Sequence, residues 1–270
     1  MLRRVTPDAP AHPTIATFNV NGLRSALKKG LLAWFEEHRP DVALLQEVRA
    51  DPHPEVFSDL GYHSVWLPAT RAGYSGVAIL SRREPDEVEV GVGHEAYDAE
   101  GRVLVARFGD LRVGSVYVPS GSSGDERQAF KEAFLAHLSD WTRARLAQGP
   151  LVLGGDFNVA HSSLDLRNWR SNQKNSGFLP QERAWFGEFL GLGLRDAHRE
   201  HLGERAEYTW WSNRGAAYEK DVGWRLDYLL AGGVDLREVR VHRAPRLSDH
   251  AAVTAVVTGP DPVVSALLPS

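Results

Sequence analysis

The sequence predicts an α/β protein, and three observations carry that expectation. The apolar runs at residues 15–20, 42–45 and 151–153 are short, as buried strands are. Stretches with apolar residues at helical spacing lie between strand candidates, notably around Leu31 and Phe134. The order strand, helix, strand at the start of the chain makes the first two strands a parallel pair, so their polar ends leave the sheet on one edge.

Taken in order, the first strand ends in Phe18-Asn19-Val20-Asn21-Gly22, and continued extension puts Asn19 and Asn21 on one face. One helix is expected next, with Leu27, Leu31, Trp34, Phe35 and His38 on its apolar face and Pro40 as its stop. Residues 42–45 deliver Gln46 and Glu47 to a strand end, and residues 76–81 form a further strand. Residues 102–108 and 111–118 read as a hairpin about Gly109-Asp110, whose second arm ends at Tyr117. Asp125 opens a long helix with Phe130, Phe134, Leu138 and Trp141 in one stripe, closed by Gly149-Pro150.

The next strand runs into Gly154-Gly155-Asp156-Phe157-Asn158. Its glycines are expected to let the backbone turn tightly and a substrate approach, and period-two alternation points Asp156 and Asn158 the same way. A carboxylate and an amide so placed suit a metal-bound water or a phosphate oxygen; an Asp/Asn turn leaving a strand is the alternative. Residues 160–177 are irregular and polar, including Asp165, Asn168, Asn172 and Lys174, which suits a phosphate backbone or plain solvent. Pro180 opens a helix with Trp185, Phe186 and Phe189 on its apolar face. Residues 208–211 are strand-like, and residues 223–230 read as one strand carrying Asp227 in an apolar context, where a carboxylate needs a partner such as an arginine. Asp249-His250 precedes the last strand, at residues 251–257.

Composition narrows the function classes. A chain of 270 residues makes one large domain or two small ones, and no linker clearly divides it. It has no cysteine, which excludes disulfides, thiolate catalysis and zinc-thiolate sites and fits a reducing compartment. Met1-Leu2-Arg3-Arg4 leads into Thr6, Pro7 and Asp8 rather than an apolar stretch, so no signal peptide is expected, and no run approaches the ~20 residues of a membrane span. Residues 259–270 hold three prolines and read as a loose end. The net charge of −4 does not exclude a polyanionic partner, because a cation bound among carboxylates offsets them locally. Polar groups thus end five strands, at Asn19, Glu47, Tyr117, Asp156 with Asn158, and Asp227, while Asp249-His250 enters a sixth. Oxygen ligands select a hard cation such as Mg²⁺ or Mn²⁺, and metal-assisted phosphodiester hydrolysis is the natural reaction class.

At these residues the chain resembles the exonuclease III-type AP endonucleases. The motifs are Phe18-Asn19-Val20-Asn21-Gly22-Leu23-Arg24, Leu45-Gln46-Glu47, Tyr117-Val118-Pro119, Gly155-Asp156-Phe157-Asn158, Trp224-Arg225-Leu226-Asp227-Tyr228 and Ser248-Asp249-His250, in the family's order. Asp165-Leu166-Arg167-Asn168, Lys174-Asn175-Ser176-Gly177-Phe178 and Pro180-Gln181-Glu182-Arg183 match as well. The resemblance implies a four-layer α/β sandwich of the DNase I type, two mixed β-sheets face to face and flanked by helices. It implies an N-terminal extension at residues 1–13, one catalytic domain at 14–258 and a C-terminal tail at 259–270.

The implied activity is base excision repair: hydrolysis of the phosphodiester 5′ to abasic sites in duplex DNA, with 3′-to-5′ exonuclease and 3′-phosphodiesterase or phosphatase activity. Asn19, Glu47 and Asp249 would hold Mg²⁺, for which Mn²⁺ substitutes, with Asp156 and Asn158 as alternate ligands. Asp156 would orient or deprotonate the attacking water and Asn158 would direct it. His250, oriented by Asp227, would contact the scissile phosphate, and Tyr117 would assist the transition state or leaving group. Trp210, Trp211, Trp224 and Leu226 would wall a pocket for a flipped abasic nucleotide. Arg24, Lys28, Arg49, Asn168, Asn172 and Lys174 would touch phosphates. The loop Ser120-Gly121-Ser122-Ser123-Gly124 departs from relatives that carry an asparagine and a DNA-inserting arginine there. A monomer acting on double-stranded DNA in the cytoplasm, away from membranes, is the expectation. A lipid phosphodiesterase of the same fold and a catalytically silent DNA-binding scaffold are the competing readings.

Overall fold

The computed structural model describes residues 12–269, so most of the expected N-terminal extension lies outside the described residues. The chain begins with β1 (Thr14–Asn19), α1 (Leu23–Lys28), α2 (Leu31–His38), β2 (Val42–Gln46), α3 (Pro54–Ser58), β3 (His63–Leu67), β4 (Val77–Ser81) and β5 (Glu87–Val90). It continues through α4 (Glu95–Asp98), β6 (Val103–Phe108), β7 (Leu111–Tyr117), α5 (Asp125–Leu146), β8 (Leu151–Asp156), α6 (Trp169–Asn172) and α7 (Pro180–Leu190). The last part holds β9 (Arg195–Asp196), α8 (Ala197–Leu202), β10 (Trp210–Trp211), β11 (Gly223–Trp224), β12 (Asp227–Gly232), β13 (Asp235–His242), β14 (Ala252–Thr258) and α9 (Asp261–Ser265).

Two six-stranded mixed sheets result, in the orders β13-β14-β1-β2-β4-β3 and β5-β6-β7-β8-β12-β9. Strand alternation explains how they stack. Ile15, Val42, Leu44 and Ile79 of the first sheet face Leu104, Val113, Val152 and Leu229 of the second in one core. The opposite faces bury Ala16, Phe18, Ala43 and Leu45 under α1 and α2, and Val103, Val105, Leu151 and Leu153 under α5 and α7. These are the four layers expected: helices, sheet, sheet, helices.

The expected parallel pairing of β1 with β2 is present, with Asn19 opposite Gln46. A second parallel pair, β7 with β8, sets Tyr117 opposite Asp156, and antiparallel β12 sets Asp227 opposite the same Asp156. The functional edge is therefore where the carboxyl ends of four strands meet, one pair from each sheet.

Several local expectations are corrected. The single helix after the first strand is two, because the chain breaks at Gly30, whose φ of 105° suits glycine alone. Residues 223–230 are two strands rather than one, β11 pairing with β10 and β12 with β8 and β9. The tail is not loose over its described residues: Val264 and Leu267, one helical turn apart, are buried in the central core.

The two glycines of β8 also have a different reason. Both lie inside the strand, not in a turn. A Cβ on Gly155 would sit 1.8 Å from the Val116 carbonyl oxygen, and one on Gly154 would sit 2.6 Å from Leu44 Cδ1 of the facing sheet. They permit close backbone and sheet packing, not approach of a substrate.

Candidate active site

Asn19 is fully buried at the end of β1 and acts as a clamp. Its Nδ2 donates to Glu47 Oε1 at 2.9 Å and to Asp156 Oδ2 at 2.9 Å, joining a carboxylate from each sheet. It sits behind these groups, and the cavity wall is made by the carboxylates themselves. Asn21 does not share its face: at φ 43° the chain turns, and its Nδ2 donates to Asp249 Oδ1 at 2.8 Å. Glu47, at φ 50°, pairs through Oε2 with Arg49, a residue expected on phosphate. Asn158 adopts φ 50°, so its approach to Asp156 comes from a turn and not from strand alternation. Its amide N–H donates to Asp156 Oδ1 at 2.9 Å and its Nδ2 to Val118 O at 2.9 Å.

Asp156 is 1 % exposed, and burial together with the charges of Asp227 and Glu47 lifts its carboxyl to about 7 against the pull of His250. His250 Nδ1 donates to Asp227 Oδ2 at 2.9 Å, so the partner of the buried Asp227 is an imidazole and not an arginine. Burial opposes charge on His250, but Asp227 and Asp156 overcome it and push the ring up to about 10. The imidazolium is thus a donor whose Nε2 lies 3.8 Å from Asp156 Oδ2. Asp249, flanked by His250 and accepting from Asn21 and Trp210 Nε1, is held below the usual carboxylate range despite its burial. Tyr117, opposite Asp156 in the strand pairing, lines the same cavity with the Arg102 guanidinium 4.4 Å from its ring centroid, and burial and Glu47 raise its phenol well above the ordinary value.

Ligand atoms of Glu47, Asp156 and His250 lie within 4.8 Å of one another. The two carboxylates fit a hard divalent cation, whereas the imidazolium that Asp227 maintains is a hydrogen-bond donor with no lone pair for a metal in that state.

These groups line one side of a cavity of about 280 Å³, and Trp210, Trp224 and Leu226 line the other. Trp210 and Trp224 are brought together by β10–β11 pairing and meet edge to face, with centroids 6.5 Å apart. Trp211, expected in this wall, is not there. Adjacent strand residues face opposite ways, so it is buried against Tyr218 and Ala251 with its Nε1 on Asp221.

The remaining expected DNA contacts are scattered on the rim. Arg24 and Lys28 are exposed on α1; Asn168, Asn172 and Lys174 are exposed or half-buried around α6. Lys174 reaches an adjoining cavity bordered by Ser122 and Ser176. Asp165 is structural: it is buried against Arg225 Nε at 2.7 Å, and that guanidinium, outweighing desolvation, holds its carboxyl well below the usual range. Sequence reasoning missed Lys29 and Arg246, which border a polar cavity beside Asp249, and Lys131, a buried lysine next to Asn158. The last had a visible signal, because Lys131 falls in register with Phe134, Leu135 and Leu138 on the core face of α5.

Comparisons with known proteins show the family. The profile of the endonuclease/exonuclease/phosphatase family matches residues 16–250. The chain is 36 % identical over 253 residues to the DNA repair nuclease APEX1 of Danio rerio, covering 90 % of this chain and 82 % of that one. It is 33 % identical over 252 residues to an exodeoxyribonuclease of Bacillus subtilis, covering 90 % and 98 %. The structure is similar to an AP endonuclease from Archaeoglobus fulgidus at a TM-score of 0.83 and 29 % identity, covering 90 % and 98 %.

Proposed function

We propose, for a chain that belongs to the endonuclease/exonuclease/phosphatase family, a DNA repair nuclease that hydrolyses the phosphodiester 5′ to an abasic site in duplex DNA. The same site would remove nucleotides and blocking phosphates from 3′ ends. One observation carries the reading: the Asn19-clamped carboxylates Glu47 and Asp156 and the Asp227-held His250 share one small cavity with an indole wall. A flipped baseless deoxyribose would lie in this cavity against Trp210, Trp224 and Leu226.

Glu47 and Asp156 would hold Mg²⁺, or Mn²⁺ in its place, with Asp249 and Asn158 as further oxygen groups about them, while Asn19, whose Oδ1 accepts from the Asn21 amide, holds the two carboxylates through its Nδ2. The bound ion supplies charge neutralisation at the phosphate and leaving oxygen. Asp156 would accept the proton of the attacking water, and Asn158, whose amide donates to Asp156, would direct that water. His250 donates to the phosphate oxygen on which charge develops, its ring orientation and proton held by Asp227. Tyr117, which keeps its phenolic hydrogen, would donate a hydrogen bond to the phosphate or the leaving oxygen. Arg24, Lys28, Arg49, Asn168, Asn172 and Lys174 contact the flanking phosphates, and the protein acts as a cytoplasmic monomer.

The test is a duplex oligonucleotide with one abasic analogue, incubated with Mg²⁺ and with EDTA. Incision 5′ to the lesion is expected with Mg²⁺ only, and Asp156→Ala lowers its rate by about 10²–10⁴-fold. An intact duplex cut as fast as the abasic one, or no cutting by the parent protein, rejects the reading.

A further inference from the structure

A buried ion pair outside the cavity reaches the catalytic turn from behind, and none of the roles above uses it. Lys131 of α5 and Glu182 of α7 are 0 % and 1 % exposed, with Nζ and Oε1 2.6 Å apart. Lys131 stands on the core face of α5, where an apolar side chain would pack without desolvating a charge. Replacing such a pair with well-packed apolar residues is often neutral or stabilising, so stability is a weak account of it.

The hydrogen bonds suggest another. Lys131 Nζ donates to the main-chain carbonyl of Asn158 at 2.7 Å. Asn158 is the left-handed residue whose amide and side chain both donate to Asp156. Glu182 Oε2 accepts from the amides of Gly177 at 2.7 Å and Leu179 at 3.0 Å, and Oε1 also accepts from Gln128 Nε2 at 3.1 Å. Gly177 lines the cavity, and its carbonyl accepts from the Ala160 amide at 2.7 Å. One pair therefore pins two pieces of the site, the turn that carries Asn158 and the wall at residues 176–179.

We infer that Lys131 and Glu182 are positioning residues of the hydrolysis, Lys131 by fixing the Asn158 turn against Asp156 and Glu182 by fixing the facing wall. The inference rests on the nuclease reading above. Its mechanism is directional: Lys131 is the donor that reaches the Asn158 carbonyl, and Glu182 keeps that donor in place while holding the wall amides itself.

The decisive variant is Lys131→Met/Glu182→Gln, which removes both charges, fills the lysine volume and retains a carbonyl for the Gly177 and Leu179 amides. It should melt within a few degrees of the parent, yet lose kcat by about tenfold or more with KM changed less than about twofold. Amide exchange over residues 156–162 should quicken. A double variant with parental kcat and parental exchange overturns the inference. If the parent itself cuts no DNA, the nuclease reading fails, and the exchange rates still decide whether the pair pins the turn.

Discussion

Asp156 carries two demands that meet at one carboxyl. In the proposed reaction it is ionised to hold a cation and basic enough to take a proton from water. Burial beside Asp227 and Glu47 lifts it to about 7, while His250, pushed up to about 10, stays charged through neutral pH. The sign for metal binding follows. The cation competes with one proton on Asp156, so its apparent affinity is greatest above the carboxyl's own value and weakens by about tenfold per pH unit below it. Mg²⁺ titrations followed by tryptophan fluorescence, which the indoles at the cavity make sensitive, check this between about pH 5.5 and 8. Asp156→Asn should bind more weakly and without that slope; a flat profile in the parent protein removes Asp156 from the ligand set.

At the level of single elements, β8 shows how tightly the site depends on strand packing. Gly155 lets the β7 backbone come close enough to align Tyr117 with Asp156, since an added Cβ would sit 1.8 Å from the Val116 carbonyl. Backbone cannot yield as a flexible side chain can. Gly155→Ala is expected to destabilise the protein by about 3 kcal/mol and to misalign the site, so activity falls further than stability predicts. Urea unfolding and incision rates measure the two. Gly187→Ala, in the middle of α7, is the control: its methyl would meet only His161 Nε2 at an ordinary 3.5 Å. There the gain in helix propensity makes the change neutral or stabilising by up to about 1 kcal/mol.

Over the whole molecule, the site is the seam between two sheets, and anything that holds the sheets together holds the site. The C-terminal segment belongs to that brace. Leu267, fully buried beside Val234 and Leu236, extends the central core beyond the last strand. Leu267→Ala should cost about 2–5 kcal/mol in urea unfolding, and a loss below about 1 kcal/mol returns the segment to the loose tail that its prolines suggest. Among the described residues no helix is long and apolar enough to cross a membrane.

By itself, the sequence determined the α/β class, the parallel first pair, the long helix from Asp125 and the identity of nearly every polar group at the strand ends. These are local properties: strand length, helical period and the residue types that chemistry needs. Polar residues that end apolar strands stay at the sheet edge in any fold that buries those strands, so Asn19, Glu47, Tyr117, Asp156 and His250 were legible as one site. Direction was not. Whether Trp210 or Trp211 faces the cavity depends on which side of β10 the core lies, and the break at Arg225-Leu226 depends on two different pairing partners. Asn19 as a clamp on Asp156 and Lys131 on Asn158 join residues 137 and 27 positions apart. Only the tertiary structure decided those contacts, because they are set by register between sheets and helices, which no local pattern encodes.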